Sequence, residues 1–487
     1  MPIKENRIPS TADALVPIFA IMVFLSLSLY LFGDESSQGA NQIALILCTG
    51  LAAIIGIKNG YSWADIEEGI GEGIGHSVGA ILILFAVGSM IGTWVLSGTV
   101  PAMVHWGMKI LSEDYFYAQS CLLCAVVALS IGSSWTTAGT LGIGLIGIAG
   151  GMGLSIEITA GAIISGAYFG DKLSPLSETT NMAAAVAEAE LFSHIRNMLW
   201  TTVPSFLIAL LSFLVIGLGT SYNEAAALTP PLGSINRYFD VSWYVFTPMI
   251  ALLAMARAKV PAFPAILVSA LIGAVMAIIF QPGLVIDLAN GSDQEPLTLL
   301  YLKGVWVALF NGYESNFGVP LLDDLLSKGG MSSMLTTVWL IISAMAFGGV
   351  LQKTNILESL FRLLKKFIRG AGSAVMTGMA TCLGVNIITG DQYIAIVLPG
   401  RMYQAEFKRL NLSLLTLSRA LEDAGTISSP LIPWNTCGAY MSATLGVATV
   451  SYLPYALFNL ANIILAFQFA GMGWLILRAD VEKVDIN

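Results

Sequence analysis

One short segment, GDKLSPLSETTN at Gly170–Asn181, combines charged residues with oxygen-bearing side chains. It places Asp171, Lys172 and Glu178 between the apolar runs IISGAYF and MAAAVA. Pro175 interrupts a helix and frees backbone carbonyls, because it has no N–H and clashes with the preceding turn. Carbonyl, hydroxyl and carboxylate oxygens are the ligands that hard cations prefer. The side chains that add such oxygens are those of Ser174, Ser177, Thr179, Thr180 and Asn181.

The chemistry of this segment suits the binding of Na⁺ or of a proton. A carboxylate among such donors holds either ion but hardly both, and this competition is the simplest physical basis for exchanging the two. Ionisable residues within an apolar, membrane-embedded stretch are costly and usually functional. The alternative interpretation is a solvated loop, which would require shorter flanking helices.

A second segment, EDAGTISSPLIPWNTCG at Glu422–Gly438, repeats this order of residue types. Acids come first, then Ser-Ser-Pro with Ser429, then Asn-Thr. Asp423, Pro430 and Asn435 therefore correspond to Asp171, Pro175 and Asn181. Arg419 lies one helical turn before Asp423 and can pair with it. Two roles are open for Arg419: a closed ion pair that only holds the helix, or the binding of an anionic substrate.

Two further polar segments resemble the tips of helical hairpins. SIGSSWTTAGTLGIG, at Ser130–Gly144, is neutral and rich in hydroxyls, whereas VNIITGDQYIAIVLPG, at Val385–Gly400, contains Asp391. An acid in such a tip is a candidate cation ligand, although it could instead cap a helix N-terminus. Asn386 and Thr389 are further candidate ligands in the second tip.

Composition identifies the kind of protein that contains these segments. Of 487 residues, 56% are hydrophobic and 11% are charged, and the mean hydropathy is +0.78. A soluble chain has about 25% charged residues, so the sequence predicts an all-α polytopic membrane protein. The net charge of −9 argues against a nucleic-acid partner. Five cysteines, an odd number within apolar segments, indicate no disulfide framework.

Hydropathy predicts the crossings, and basic residues predict their orientation. Basic residues cluster in alternate links, which places both termini and most Lys and Arg in the cytoplasm, including Lys259 and Arg401, whereas Lys109 falls outside. Four long apolar stretches are interrupted by polar residues, at 118–151, 156–186, 371–399 and 412–447. The continuous spans are Ala14–Phe32, Gln42–Ile57, Val78–Leu96, Trp200–Leu218, Val241–Met255, Ala262–Phe280, Ser333–Leu351 and Tyr452–Leu475.

The parity of the crossings predicts two repeats of opposite orientation. Residues 118–151 and 371–399 are expected to form re-entrant hairpins, and residues 156–186 and 412–447 to form broken crossing helices. Each repeat, 1–225 and 226–487, then has five crossings and one hairpin. Inverted repeats are typical of secondary transporters, whose site lies between the repeats near the midplane.

Three passages resemble the NhaC-type Na⁺/H⁺ antiporter family. They are GDKLSPLSETTN with the small residues after it, NIITGDQYIAIVLPGRMY at Asn386–Tyr403 and LSRALEDAGTISSPLIPWNTCGAYM at Leu417–Met441. The similarity covers essentially the whole membrane domain. It implies a bacterial inner-membrane antiporter that exchanges Na⁺ for H⁺ by alternating access, works without a cofactor and forms a homodimer. The first passage departs from the family in having Glu178 where Asp is usual.

With this resemblance, the sequence predicts Na⁺ at Asp171, Glu178 and Asp391. Asp423 would contribute from the second repeat. The supporting oxygen donors would be Ser174, Thr179, Thr180, Asn181, Asn386, Thr389, Ser429 and Asn435.

Two alternatives concern the substrate and the class of protein. Some relatives in this family exchange the ions with organic acids, and Lys172 and Arg419 would suit a carboxylate or an amino acid. An intramembrane peptidase using Asp391 and Asp423 is the weakest alternative. The sequence has no HExxH or GxSxG motif, and without GxxxxGK[ST] it offers no ATP site.

Overall fold

A computed structural model describes residues 8–219, 235–291, 294–318, 323 and 326–479. These residues form a polytopic membrane protein built from α-helices, as predicted. Hydrocarbon offers no partner for backbone N–H and C=O groups, so a spanning segment must satisfy them internally. In the described ranges, eight helices are long and apolar enough to cross a bilayer, or nine if a bent pair counts as one span.

The helices of the first part of the chain run in the following order. They are α1 (Thr11–Phe32), α2 (Ala40–Lys58), α3 (Trp63–His76), α4 (Val78–Leu96), α5 (Thr99–Ile110), α6 (Phe116–Ile131), α7 (Ser134–Thr137), α8 (Ile143–Gly151), α9 (Ile156–Leu173), α10 (Glu178–Val186) and α11 (Leu191–Gly219). A π-helical turn, Ala138–Gly142, joins α7 to α8.

The second part continues with shorter and more frequently interrupted helices. A π-helical turn, Glu422–Thr426, directly follows the helix Leu414–Leu421. The helices are α12 (Thr247–Arg257), α13 (Ala262–Phe280), α14 (Pro282–Ala289), α15 (Leu297–Phe310), α16 (Leu335–Lys353), α17 (Ile356–Lys365), α18 (Ala371–Thr389), α19 (Gln392–Arg409), α20 (Leu414–Leu421), α21 (Thr436–Leu445), α22 (Thr449–Tyr452) and α23 (Leu457–Gly471).

Two predicted spans differ in detail from the structure. The segment predicted as Val241–Met255 contains a 3₁₀ turn, Trp243–Phe246, followed by the short helix α12. The segment predicted as Tyr452–Leu475 bends by 62° between Thr449–Tyr455 and Leu457–Gly471. Pro454 accounts for the bend, because proline removes a donor from the helical ladder.

The two segments predicted to be hairpin tips share the same local structure, a glycine turn followed by a capped helix. Gly132 ends α6 with φ +71° and Gly390 ends α18 with φ +67°, a conformation that glycine adopts without steric cost. The next helix is capped in each case: Ser133 Oγ accepts from Thr136 N at 3.1 Å, and Asp391 Oδ1 accepts from Ile394 N at 2.8 Å.

The two broken helices also end and restart at capped breaks. α9 ends at Leu173, before Pro175, and Ser177 caps α10. In the second segment, Asn435 caps α21 by accepting from Cys437 N at 3.0 Å. Asn435 thus corresponds to Ser177 by position in the break, not to Asn181. The order of elements recurs, while the inverted relation of the halves stays a prediction.

Glycines let α9 approach its neighbour α6 at backbone distance. A Cβ added at Gly166 would lie 2.0 Å from Cys121 O, and one at Gly170 would lie 2.3 Å from Ala125 O. Small residues allow such close packing between membrane helices. Cys121 and Cys124 are buried free thiols in α6. This packing fixes the C-terminal end of α9, which carries Asp171 and Lys172, against α6.

Candidate functional site

The two hairpin tips and the break between α9 and α10 enclose one side of a cavity of about 1140 Å³. Its wall contains three acids, Asp171, Glu178 and Asp391, and three basic residues, His76, Lys259 and Arg401. The three acids that the sequence assigned to Na⁺ therefore face one space. Among the described residues, no three acids, histidines or cysteines are grouped closely enough to hold one metal ion. The three acids therefore line one cavity but do not form one compact metal site.

Asp171 connects the broken helix to the first hairpin tip. It is buried, and its Oδ2 accepts from Ser134 N at 3.1 Å and from Ser134 Oγ at 2.7 Å. Ser134 begins α7, immediately after the Gly132 turn. The carboxylate is thus oriented by a hydroxyl and an amide while it lines the cavity.

Asp391 lies in the second predicted tip, where it caps a helix and faces the cavity. It is buried, caps α19 through Ile394 N and lines the cavity. Its neighbours Gln392 and Tyr393 line the same space. The sequence did not single out these two residues, although their position directly after a tip acid was an available signal.

Glu178 is more exposed to solvent than Asp171 and Asp391. It is exposed, and its Oε2 accepts from the Tyr393 hydroxyl at 3.1 Å. This bond links the start of α10 to the second tip. Thr179 and Asn181 also line the cavity. The Asn181 amide donates to Pro175 O at 3.0 Å and to Ser177 O at 2.6 Å, so it holds the break closed.

Other predicted ligands stabilise the break from behind the cavity wall. Thr180 Oγ1 donates to Lys172 O at 3.1 Å, and Ser174 Oγ accepts from Leu176 N at 3.3 Å. Both side chains are buried. They fix the path of the chain between α9 and α10.

The predicted ligands of the second segment form a network between α18 and the π turn. The Asn386 amide donates to Gly425 O at 2.5 Å and to Ser428 Oγ at 2.9 Å, and Asn386 Oδ1 accepts from Asn435 at 3.0 Å. This network ties the second hairpin to the second broken helix.

The remaining two candidates of that segment also make internal bonds. Ser429 Oγ donates to Gln392 Oε1 at 2.8 Å, and Thr389 Oγ1 donates to Val385 O at 2.9 Å. Like the Asn386 network, these bonds position the tip that carries Asp391.

Asp423 differs from Asp171 in its surroundings. The fully buried Lys172 ammonium donates to the Asp423 carboxylate and to Asn462 Oδ1 at 3.0 Å. Asp423 Oδ1 also accepts from Thr201 at 2.9 Å and from Asn462 at 3.1 Å. The sequence did not indicate Lys172 as the partner, because the two residues are 251 positions apart.

Arg419 contacts Asp423 as the spacing predicted, but its hydrogen bonds go elsewhere. Arg419 Nε lies 3.8 Å from Asp423 Oδ2. The guanidinium donates to Asn197 Oδ1 at 3.0 Å and to Leu475 O at 2.7 Å. Lys172, Asp423 and Arg419 thus form a buried charged cluster behind the cavity.

In a polytopic membrane protein, interrupted helices that restart at capped breaks and a cavity lined by acids are characteristic of secondary transporters. The sequence profile of the Na⁺/H⁺ antiporter family matches residues 166–474. The chain is 34% identical to the Na⁺/H⁺ antiporter NhaC of Alkalihalophilus pseudofirmus, over 88% of this chain and 90% of that protein. The chain belongs to the Na⁺/H⁺ antiporter family.

Other relatives of similar identity carry names of different substrates. The malate-2H⁺/Na⁺-lactate antiporter of Bacillus subtilis is 31% identical over 96% of each chain. The arginine/ornithine antiporter ArcD of Halobacterium salinarum is 34% identical over 98% of this chain and 95% of its own. Relatives that are 31–34% identical to this chain therefore carry the names of different transported solutes.

Proposed function

We propose that the protein exchanges Na⁺ for protons across the membrane and binds Na⁺ at Asp171 and Asp391. The observation that carries the proposal is that two buried carboxylates, Asp171 at the end of α9 and Asp391 at the start of α19, line one cavity. Both are next to oxygen donors, and hard cations bind such donors. Membership of the family supports this activity, and the exchange needs no resident cofactor.

The binding of Na⁺ and the binding of protons are coupled by electrostatics. A buried carboxylate without a counter-charge is strongly destabilised, so Na⁺ and protons compete to neutralise it. Entry of Na⁺ then favours release of a proton, and a proton arriving favours release of Na⁺. Movement of the tips would expose the acids to the other side, and the Tyr393–Glu178 bond would break during that movement.

We propose that the cavity opens towards the cytoplasm. Lys259 and Arg401 line it, and both belong to links whose basic residues predict that side. The structure therefore fits an inward-facing state of a protein in a bacterial inner membrane. A homodimer remains a proposal based on the family.

Neutralising the cavity acids tests the proposal. In proteoliposomes with an internal pH dye, Na⁺-driven proton flux should fall about tenfold or more in Asp171→Asn and Asp391→Asn. Each change removes a charge-assisted contact worth about 1.5–3 kcal/mol. Glu188→Gln is the control, because Glu188 is exposed and pairs with Lys408 at 2.9 Å away from the cavity. Wild-type flux in both Asn variants would contradict the assignment.

The size of the cavity favours a second candidate, exchange that includes an organic solute. Pockets of about 300–1,000 Å³ hold small organic ligands, and 1140 Å³ is far more than one bare ion needs. Arg419, which the sequence suggested for an anionic solute, is bonded elsewhere. Lys259 and Arg401 are better placed for such a group.

The same flux assay separates the two candidates. A Na⁺ gradient is applied alone, then with malate and lactate, and then with arginine and ornithine. Flux with Na⁺ alone supports plain Na⁺/H⁺ antiport. Flux that begins only when a solute is added would contradict plain Na⁺/H⁺ antiport and support exchange of that solute.

A further inference from the structure

A short helix, α17, connects two helices that are long and apolar enough to cross a bilayer. α16 ends at Lys353, α18 begins at Ala371, and α17 occupies the middle of the link between them, residues 354–370. Because α16 leaves the membrane and α18 enters it at this link, α17 must lie close to one membrane face. The basic residues of the link predict that this face is the cytoplasmic one.

α17 has one buried side and one exposed side. It packs against α1, α16 and α18. Its buried residues are Ile356, Leu357, Ser359, Leu360 and Phe361. A helix that buries one side and exposes basic residues on the other is typical of the boundary between membrane and water.

The exposed side of α17 continues into a cluster of bases. Three backbone hydrogen bonds between residues three apart extend the helical path as far as Ile368. The backbone N–H of the next residue donates to Ser373 Oγ at 2.8 Å, which ties the chain to the first turn of α18. Four exposed side chains on this path form what we call the basic patch: Arg362, Lys365, Lys366 and Arg369.

Acids near the basic patch already have partners. Glu358 pairs with Arg362 at 2.8 Å, and Glu406, which lies near Lys365, pairs with Arg409. Among the described residues, the other three members of the patch form no ion pair. α16 and α18 contain no acidic residue. The patch therefore carries an excess of positive charge on a chain whose net charge is −9.

Exposed aromatic side chains accompany the basic patch. Phe367 lies among the four bases and is 60% exposed. Asn355, directly before α17, donates to the Tyr61 hydroxyl at 2.8 Å, and Trp63, two residues after that tyrosine, is 61% exposed. Tryptophan is enriched at membrane–water boundaries. The aromatic residues thus place the patch at the level of the lipid headgroups.

An anionic phospholipid has the chemistry that matches both features. Its phosphate accepts hydrogen bonds from Lys and Arg, and its acyl chains provide an apolar surface for the Phe367 ring. A soluble polyanion would match the bases but would leave the ring in water. Clusters of four or more bases beside a spanning helix are typical of binding to anionic lipids.

We propose that the basic patch and Phe367 bind anionic phospholipids of the cytoplasmic leaflet. This site is separate from the cavity and goes beyond the proposed ion exchange. Its bound lipid contacts the chain directly before α18, the helix that leads to the tip with Asp391.

Binding is measured on the purified full-length protein in neutral detergent at low salt. Phosphatidylglycerol with a fluorescent label on its acyl chain is titrated with protein, and anisotropy gives the Kd. Lys366→Gln combined with Arg369→Gln should bind about 25-fold more weakly, because each base near anionic lipid contributes about fivefold. Phe367→Ser should also weaken binding, because it removes the apolar contact.

The matched control removes the same charge from the same predicted side of the membrane. Lys408→Gln combined with Arg409→Gln should bind like wild type, because both bases already pair with acids. Lys366→Arg combined with Arg369→Lys should also bind like wild type, because the charges are retained. Size-exclusion chromatography and thermal unfolding without lipid establish that each variant is folded.

Three results would overturn the lipid site. The first is wild-type affinity in the folded Lys366→Gln and Arg369→Gln double variant. The second is equal affinity for phosphatidylcholine carrying the same label, which would show that the negative headgroup has no role. The third is displacement of the lipid by equal concentrations of glycerol phosphate or potassium phosphate, which would indicate a site for free phosphate. The test needs no transport, so its failure leaves the proposed ion exchange untouched.

Discussion

Lys172 serves the site without facing the cavity. Its ammonium is fully buried and bonds to Asp423 and Asn462, while the adjacent Asp171 points to the cavity. The C-terminal end of α9 thus carries the buried, paired Lys172 ammonium next to the Asp171 carboxylate, which lines the cavity. The pair joins α9 to the second broken helix and to α23, so the position of Asp171 depends on it.

Removing this lysine should destabilise the protein. Lys172→Met leaves Asp423 buried without its close partner, and breaking one side of a buried ion pair costs about 3–5 kcal/mol. Thermal unfolding in detergent should show a clear decrease in Tm. Lys58→Met is the matched control, because the side chain of Lys58 is 65% exposed in its pair with Asp13 and an exposed pair contributes little. Equal effects of the two changes would show that the buried pair has no special role in stability.

The sequence named most of the residues that line or support the cavity, but it did not reveal all of their contacts. Asp171 and Asp391 were predicted because acids in interrupted apolar segments are costly. Asp423 was assigned by analogy with Asp171, and its Lys172 partner depends on a contact across 251 positions that no local pattern reveals.

Gly132 gives the first hairpin tip its shape and also touches the break between α9 and α10. A Cβ at this glycine would lie 2.6 Å from both the carbonyl carbon and the Cβ of Leu176 and 2.8 Å from Ser177 N. The tip and the break therefore fit together at backbone distance. Any side chain at residue 132 would separate them and shift Ser134 relative to Asp171.

We therefore expect Gly132→Ala to reduce Na⁺-driven flux and to lower the Tm. Gly446→Ala is the matched control, because Gly446 has a similar φ of +70° but nothing within 4 Å of an added Cβ. The left-handed conformation costs an alanine about 1–2 kcal/mol at either position. Only Gly132→Ala should lose flux beyond that common loss of stability. The same flux in both variants would argue against a functional contact between tip and break.

Interruptions of helices were predictable where the sequence contains their cause. Proline and clustered polar residues located the breaks after α9 and after the second π turn. The 62° bend before α23 was not expected, although Pro454 marks it. The π turns could not be predicted, because their residues are compatible with an ordinary helix and tertiary contacts select the wider turn.

We predict that, in this state, solutes reach the cavity from the cytoplasmic side of the membrane only. Asn181 lines it, whereas Lys109 belongs to a link that the sequence places outside. A membrane-impermeant maleimide should label Asn181→Cys from the cytoplasmic face and Lys109→Cys from the opposite face. Inside-out and right-side-out vesicles provide the two faces, and Cys437 is replaced by Ala because it also lines the cavity. Labelling of Asn181→Cys only from outside would reverse the proposed orientation.

For the molecule as a whole, composition and hydropathy were sufficient to predict an all-α membrane protein. The cavity was not predictable, because it is formed by tips and breaks that are far apart in the sequence. The inverted relation of the two halves was derived from parity and basic residues, and it stays a prediction.

The backbone contact between α9 and α6 has a consequence for evolution. At Gly166 and Gly170 any side chain would overlap a main-chain atom of α6, so substitution should be resisted in every relative that keeps this packing, whatever solute it carries. A glycine that is invariant at these positions would therefore indicate close packing of α9 and α6, not a shared substrate. Residues that diverge with substrate should instead be sought on the cavity wall, around Lys259 and Arg401, where a change of side chain leaves the scaffold intact.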